Sequence, residues 1–275
     1  TELAARGARS ARTRAGRVFA DALYGDHPLS RPAEGDLESL AGMTYDIQRR
    51  VHRDAFAPSN LIFAVVSSLP HEQLVAVIEE QMSGRGSPNA GLPPVPVTEN
   101  ELRLTETIGG QMASVRLGSL LHIDPDDAPA LEMLVAVLSD RLGMDLRETR
   151  GLSYSVGASI GIHGRDAAFA AWLNPPAPRL VEGEAALTEA VRTFAPTTVT
   201  QEELDVARSA RRGRLMMRRL SSISQAYYLA MAELDGDVRS YLGGLDVYND
   251  VALADLVRVG SKYLTGLPLV TVVVD

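Results

Sequence analysis

Leu142-Gly-Met-Asp-Leu-Arg-Glu-Thr-Arg-Gly-Leu-Ser-Tyr-Ser-Val156 is the stretch on which the reading of this chain turns. Its first half has the character of a helix carrying Arg147, and Gly151 leads directly into a segment of different period. From 152 to 162, apolar Leu152, Tyr154, Val156, Ala158, Ile160 and Ile162 alternate with small or polar Ser153, Ser155, Gly157, Ser159 and Gly161. Strict alternation is the period of a half-buried strand. On that reading Tyr154 points with the apolar set, and a helix-to-strand junction holds Arg147 close to it. A guanidinium and a phenol placed so are two donors able to address a carbonyl oxygen without themselves transferring protons. An arginine pairing within its own helix and a tyrosine that only packs would use the same residues.

Working outward, a tight turn at Gly164 leads to 166–173, so 152–162 and 166–173 read as a hairpin. Upstream lie strands at 102–106 and 111–117. A helix follows, opened by Asp126-Asp-Ala-Pro129, with Leu131, Leu134, Val135 and Leu138 facing inward. Downstream the pattern is helical over 179–194, 200–220, 221–234 and 247–264, the second of these begun by the capping box Thr200-x-x-Glu203. A last strand at 269–274 closes the block. Strands, then helices, then a returning strand predict an α+β domain over 101–275: a mainly antiparallel sheet with helices packed on one face.

Residues 84–100, with Gly84, Gly86, Pro88, Gly91, Pro93, Pro94 and Pro96, read as a linker. Before it, residues 1–83 form a shorter block. A solvated Arg-rich arm leads to a helical stripe of Val18, Phe19, Ala22 and Leu23. Short helices follow at 36–40 and 44–56, the second capped by Thr44 and stopped before Pro58. A buried strand is expected at 61–67, then a helix at 70–82 with Leu74, Val77, Ile78 and Met82 on one face. One buried strand cannot satisfy its own ladder. The block therefore reads as the incomplete end of a second, similar domain whose sheet partners come from another chain or from a missing amino-terminal segment.

Composition narrows the function. With 45% hydrophobic residues, a net charge of −8 and no sustained basic stripe after the first 20 residues, the chain reads as globular, with nucleic acid an unexpected partner. No cysteine is present, which removes thiolate metal sites and thiol nucleophiles. The longest apolar runs are too short to span a bilayer, so no membrane partner is expected, and a cytoplasmic location is compatible. Neither H-E-x-x-H nor H-x-x-E-H occurs. His71-Glu-Gln-Leu-Val75 has Val where a second imidazole belongs, and His27, His52, His71, His122 and His163 are scattered. There is no Gly-x-Ser-x-Gly elbow, no phosphate-cradling loop and no apolar-flanked carboxylate pair.

Residues 146–156, Leu-Arg-Glu-Thr-Arg-Gly-Leu-Ser-Tyr-Ser-Val, resemble the arginine/tyrosine segment in the carboxyl-side domains of the insulinase, pitrilysin and mitochondrial-processing-peptidase superfamily. These are zinc peptidases with the inverted H-x-x-E-H motif. His27-Pro-Leu-Ser-Arg-Pro32, Gly35 and Ala57-Pro-Ser-Asn-Leu61 are similar to the final third of the family's amino-terminal domain. Thr200-Gln-Glu-Glu-Leu204 with its Arg-rich helix, and 253–263, are similar to the close of its second domain. The likeness runs from about Val18 to the end, in family order.

The resemblance implies that Arg147 and Tyr154 reach across a closed chamber to the backbone of a bound peptide, positioning it and stabilising the oxyanion. Zinc and its glutamate base are expected on a segment upstream of Thr1 or on another chain, with no metal ligand here. The strand at 111–117, the one preceding it or another open edge is a weaker candidate for holding substrate by strand addition. The leading expectation is the carboxyl-side, non-zinc portion of a zinc endopeptidase, inactive alone and partnered by an amino-terminal zinc domain or subunit. The alternatives are a non-catalytic subunit of a heterodimeric peptidase and a purely structural or assembly subunit of the same fold.

Overall fold

The structure, a computed structural model, describes residues 10–33, 35–82, 91–236, 238 and 246–275. Its helices are α1 (Ala11–Tyr24), α2 (Leu37–Ala41), α3 (Tyr45–Ala55), α4 (His71–Gln81), α5 (Ala128–Leu142), α6 (Leu180–Arg192), α7 (Gln201–Met217), α8 (Ser222–Leu234) and α9 (Leu253–Tyr263). Its strands are β1 (Leu102–Glu106), β2 (Ser114–His122), β3 (Val156–His163), β4 (Asp166–Leu173) and β5 (Val270–Val274). They fall into two compact units. One comprises the chain up to Leu37 with Pro93–Ala210 and Asp246–Asp275, the other Glu38–Leu92 with Arg211–Leu245.

The first unit is α+β, as its sequence predicts. The five strands run in the order β1-β5-β2-β4-β3, antiparallel except for the parallel pair β1 and β5. Alternation along β2 and β4 sends Val115, Leu117, Phe169, Ala171 and Leu173 into a dry layer, all at 2% exposure or less. Against that face α5 lies on β3, α6 on β4 and β2, and α9 on α5. Each fully buried Leu or Phe there contributes about 1.5–3 kcal/mol relative to exposure. Asp127 joins the helices at one end. It accepts hydrogen bonds from Tyr263 Oη at 2.7 Å, Lys262 Nζ at 3.0 Å and Arg258, all on α9.

The other face of the sheet also has a cover. Helix α1 lays Ala11, Ala15, Phe19 and Leu23, at successive four-residue steps, on Leu120, Val270, Val272 and Val274. The sequence reading groups this helix with the block before the Pro-rich segment, but its apolar stripe is spent on the sheet formed after it. Gly118 makes the approach possible: a β-carbon there would lie 2.5 Å from Phe19 Cζ and 2.2 Å from the Phe169 carbonyl oxygen. Outside this stripe Arg14 forks onto Glu106 at the end of β1. Residues 84–90 of the expected linker lie outside the described residues. Beyond them the chain is fastened to this unit by His27 Nε2 to Pro93 O at 2.9 Å, Thr98 N to Leu120 O at 2.8 Å and Leu120 N to Thr98 Oγ1 at 2.9 Å.

The second unit is helical among its described residues. Thr44 caps α3 as expected, its Oγ1 accepting from Ile47 N at 3.3 Å. The fully buried strand expected at 61–67 is not seen. That run is extended, pairs in no ladder, and leaves Ile62, Phe63 and Val65 between 41% and 47% exposed. An apolar run becomes a buried strand only when a neighbour takes up its N–H and C=O groups, and among the described residues none does so.

Candidate functional site

The segment around Tyr154 departs from its alternation. Helix α5 runs on into a π-helical segment, Gly143–Thr149, which buries Leu146 and carries Arg147. It ends at Gly151, whose φ of +59° is strained for residues with a side chain. The ladder then begins only at Val156, paired with Leu173. Between Gly151 and Val156 the chain bends, so Tyr154 is not on a strand and does not point with Leu152. Leu152 is fully buried, whereas Tyr154 is 98% exposed.

Ser153 sets this bend. Its hydroxyl donates to the Asn174 carbonyl oxygen at 2.5 Å and accepts from the Ser155 amide at 3.0 Å, a serine turn onto its own backbone. Asn174 completes the clamp. Its Nδ2 donates to Ser155 Oγ at 2.8 Å, and its Oδ1 accepts from Ser114 Oγ at 2.7 Å. Ser114, Ser153 and Asn174 are buried, so the phenol is carried on a rigid polar mount at the end of β2 and β4.

That mount borders a cleft of about 440 Å³. Its walls are Ser153, Tyr154, Ser155 and Asn174, the loop from Ile108 to Ala113, and Ser10, Ala11 and Arg12 at the start of α1. Hydroxyls, a phenol and the Arg12 guanidinium line it, with Ile108 and Met112 beside them, a mixed polar and apolar surface. Arg147 is not among the lining residues. Its Nε donates instead to Glu148 Oε1 at 2.8 Å, on a pair that is half exposed. Such a pair is weak and easily exchanged for another acceptor. The structure thus sets Tyr154 at the cleft and leaves Arg147 on the preceding π-helical segment, engaged with its neighbour.

Strand addition is not open to the segment expected at 111–117. Its ladder portion begins at Ser114, in β2, whose two edges are taken by β4 and β5. Open edges fall instead to β1 and β3, and the β3 edge is met at one point by Ser139 Oγ, which accepts from Ala158 N at 3.1 Å.

Two of the histidines have structural contacts. His27 is buried, its Nδ1 accepting from Leu29 N at 3.1 Å and its Nε2 donating to Pro93 O, while His122 pairs with Asp166 at 2.9 Å. Among the described residues no group of three or more His, Asp or Glu could hold a metal ion. The donor sets present therefore do not fit zinc, and no step in this chain is routed through it. Sequence reasoning passed over Ser153, Asn174 and Arg12. Asn174-Pro175 at the end of a strand was the available signal for the first two, since Asn before Pro favours a turn.

A family model described as the peptidase M16 inactive domain matches residues 42–211, more than half of the chain. The chain belongs to that family. A Mycobacterium leprae protein named an uncharacterized zinc protease is 26% identical over 240 residues, 80% of this chain and 52% of that one. One from Bacillus subtilis with the same designation, YmxG, is 25% identical over 208 residues, 73% of this chain and 50% of that one. The chain spans about half the length of these curated relatives. Among solved structures, a peptidase M16 inactive domain from Pseudomonas fluorescens superposes with a TM-score of 0.87 at 20% identity, over 99% of this chain and 68% of that one. A protease from Helicobacter pylori does so with a TM-score of 0.82 at 18% identity, over 100% and 69%. Both likenesses speak to the fold.

Proposed function

We propose that this chain is the carboxyl-side, substrate-contacting portion of a zinc-dependent endopeptidase that cleaves peptides within a closed chamber. Zinc and its general base are contributed by an amino-terminal domain or partner subunit outside the chain, which is inactive alone. One observation carries the reading: Tyr154, at 98% exposure, stands on a buried Ser153–Asn174 mount beside a peptide-sized cleft. A phenol carried on a fixed stretch of backbone and shielded by nothing is placed to meet something else.

In this role Tyr154 donates to a peptide carbonyl as charge develops on its oxygen, and Arg147, exchanging Glu148 for substrate, orients the peptide backbone. The test is a quenched-peptide assay on the complete protein, with Tyr154→Phe and Arg147→Ala. Turnover is expected to fall for both variants while bound zinc stays unchanged. Wild-type rates from both would overturn the assignment.

The ion pair Arg147–Glu148, set outside the cleft lining, favours a second reading in which the chain is a non-catalytic or assembly subunit. On that reading the purified complete protein shows no hydrolysis, while the assembly retains full activity with both variants.

A further inference from the structure

On the sheet face covered by α1, Arg116 of β2 stands between Trp172 of β4 and Val272 of β5. Its guanidinium reaches the flank of α1 at Gly16, where a β-carbon would lie 3.6 Å from Nη2. One turn earlier on that flank is Arg12, which lines the cleft beside Tyr154. Two cations thus share one flank at the amino-terminal end of a helix, where the helix dipole adds positive potential.

Among the described residues nothing local neutralises them. Glu106, the acid nearest this end of β1, is engaged by both fork nitrogens of Arg14, and Asp21 is taken by Arg17. Asp275 follows Val274, which packs against α1, so strand alternation directs its carboxylate to the opposite face. Among the described residues neither Arg12 nor Arg116 has a carboxylate partner, and Arg116 Nε is shut off from solvent with no acceptor. Burial, and next the charge of Arg12, push the Arg116 pKa down. A guanidinium keeps its proton regardless, so this strain is relieved by an incoming anion.

We propose that Arg12 and Arg116 form a subsite for a carboxylate of the bound peptide, either an Asp or Glu side chain or a free carboxyl terminus. Its ligand rests on the peptidase reading given above. The planar forks suit a carboxylate, which two guanidinium groups can meet with parallel N–H donors.

The complete protein tests this with quenched peptides in which each position in turn carries Glu or Gln, and with one peptide as free acid or amide. Either the Glu member at one position or the free acid is expected to be favoured about tenfold in kcat/KM, equivalent to one charge-assisted contact. Which pair responds identifies the source of the carboxylate. Arg12→Gln and Arg116→Gln are each expected to draw that ratio toward one by raising KM for the carboxylate peptide. Arg12 is exposed, so its variant separates lost recognition from lost folding. A wild-type ratio of one for every pair, or a ratio untouched by Arg12→Gln, overturns the proposal. If no peptide is cut, the peptidase reading fails separately. The labelled peptides then report by fluorescence anisotropy: weaker binding of the carboxylate member by Arg12→Gln upholds the subsite, and equal binding of both members by wild type sinks it.

Discussion

Asn174, just past the end of β4, donates its side-chain amide hydrogen across 2.8 Å to Ser155 Oγ in the bend that presents Tyr154. The same side chain accepts from buried Ser114 of β2 at 2.7 Å, so removing it leaves polar groups unpaired both on that strand and in the bend. Asn174→Ala is expected to lower unfolding free energy by about 1–3 kcal/mol, and Ser153→Ala by a similar amount, because each leaves desolvated partners unpaired. Urea unfolding of the two variants measures this.

Tyr154 itself should cost almost nothing. A side chain 98% exposed contributes little to the core, so Tyr154→Ala is expected to shift stability by less than about 0.5 kcal/mol. Thermal unfolding that matches wild type, alongside reduced peptide turnover in the complete protein, would separate a functional phenol from a structural one. A clear drop in Tm would contradict the exposure seen here.

Acid should loosen the link between α9 and the start of α5. Burial alone would raise the Asp127 carboxyl, but hydrogen bonds from Arg258, Tyr263 and Lys262 outweigh it and hold the group at about 2. Glu203 is also held at about 2, chiefly by Arg141, against burial and with help from the Thr200 amide. Both values lie below those of the unfolded chain, so the unfolded state binds more protons. Their stabilisation is therefore complete above about pH 5 and is lost as pH falls toward 2. Asp127→Asn is expected to cost about 1.5–3 kcal/mol at neutral pH and to flatten the acid limb of a urea-midpoint profile between about pH 2 and pH 5.

Two glycines test close packing. A β-carbon at Gly260 on α9 would stand 2.2 Å from Pro196 Cγ and 2.9 Å from Leu134 Cδ2, so Gly260→Ala must push the helix off α5 at a cost of about 1–3 kcal/mol. Gly118→Ala meets the Phe169 main chain, which cannot swing aside as a side chain can, and is expected to cost at least as much. Circular dichroism melts of both variants provide the comparison.

Features whose cause is local were readable in advance. The capping pair Thr200–Glu203 forms, with Glu203 Oε2 accepting from Thr200 N at 2.8 Å, and Thr44 caps its helix. Strand β4 occupies the residues its alternation marks, 166–173. The bend at Tyr154 was hidden because Leu152, Ser153 and Tyr154 continue the strand's alternation unbroken. What ends the ladder there is one hydroxyl bonding two residues ahead and to Asn174, a contact 21 residues away. The run 61–67 misled for the opposite reason: its apolar content is real, but burial depends on a partner strand that local sequence cannot name. The berth of α1 on Gly118, about 100 residues downstream, is likewise invisible to any local pattern.

Because α1 seals Leu120, Val270, Val272 and Val274, the sheet cannot be isolated by cutting the polypeptide at its Pro-rich middle. A fragment starting near residue 91 would bare a continuous aliphatic wall and clump, however faithfully its remaining elements formed. Any recombinant version meant to stay dispersed has to begin ahead of Ala11, and an excised α1 peptide added in trans should restore dispersal to the shorter piece.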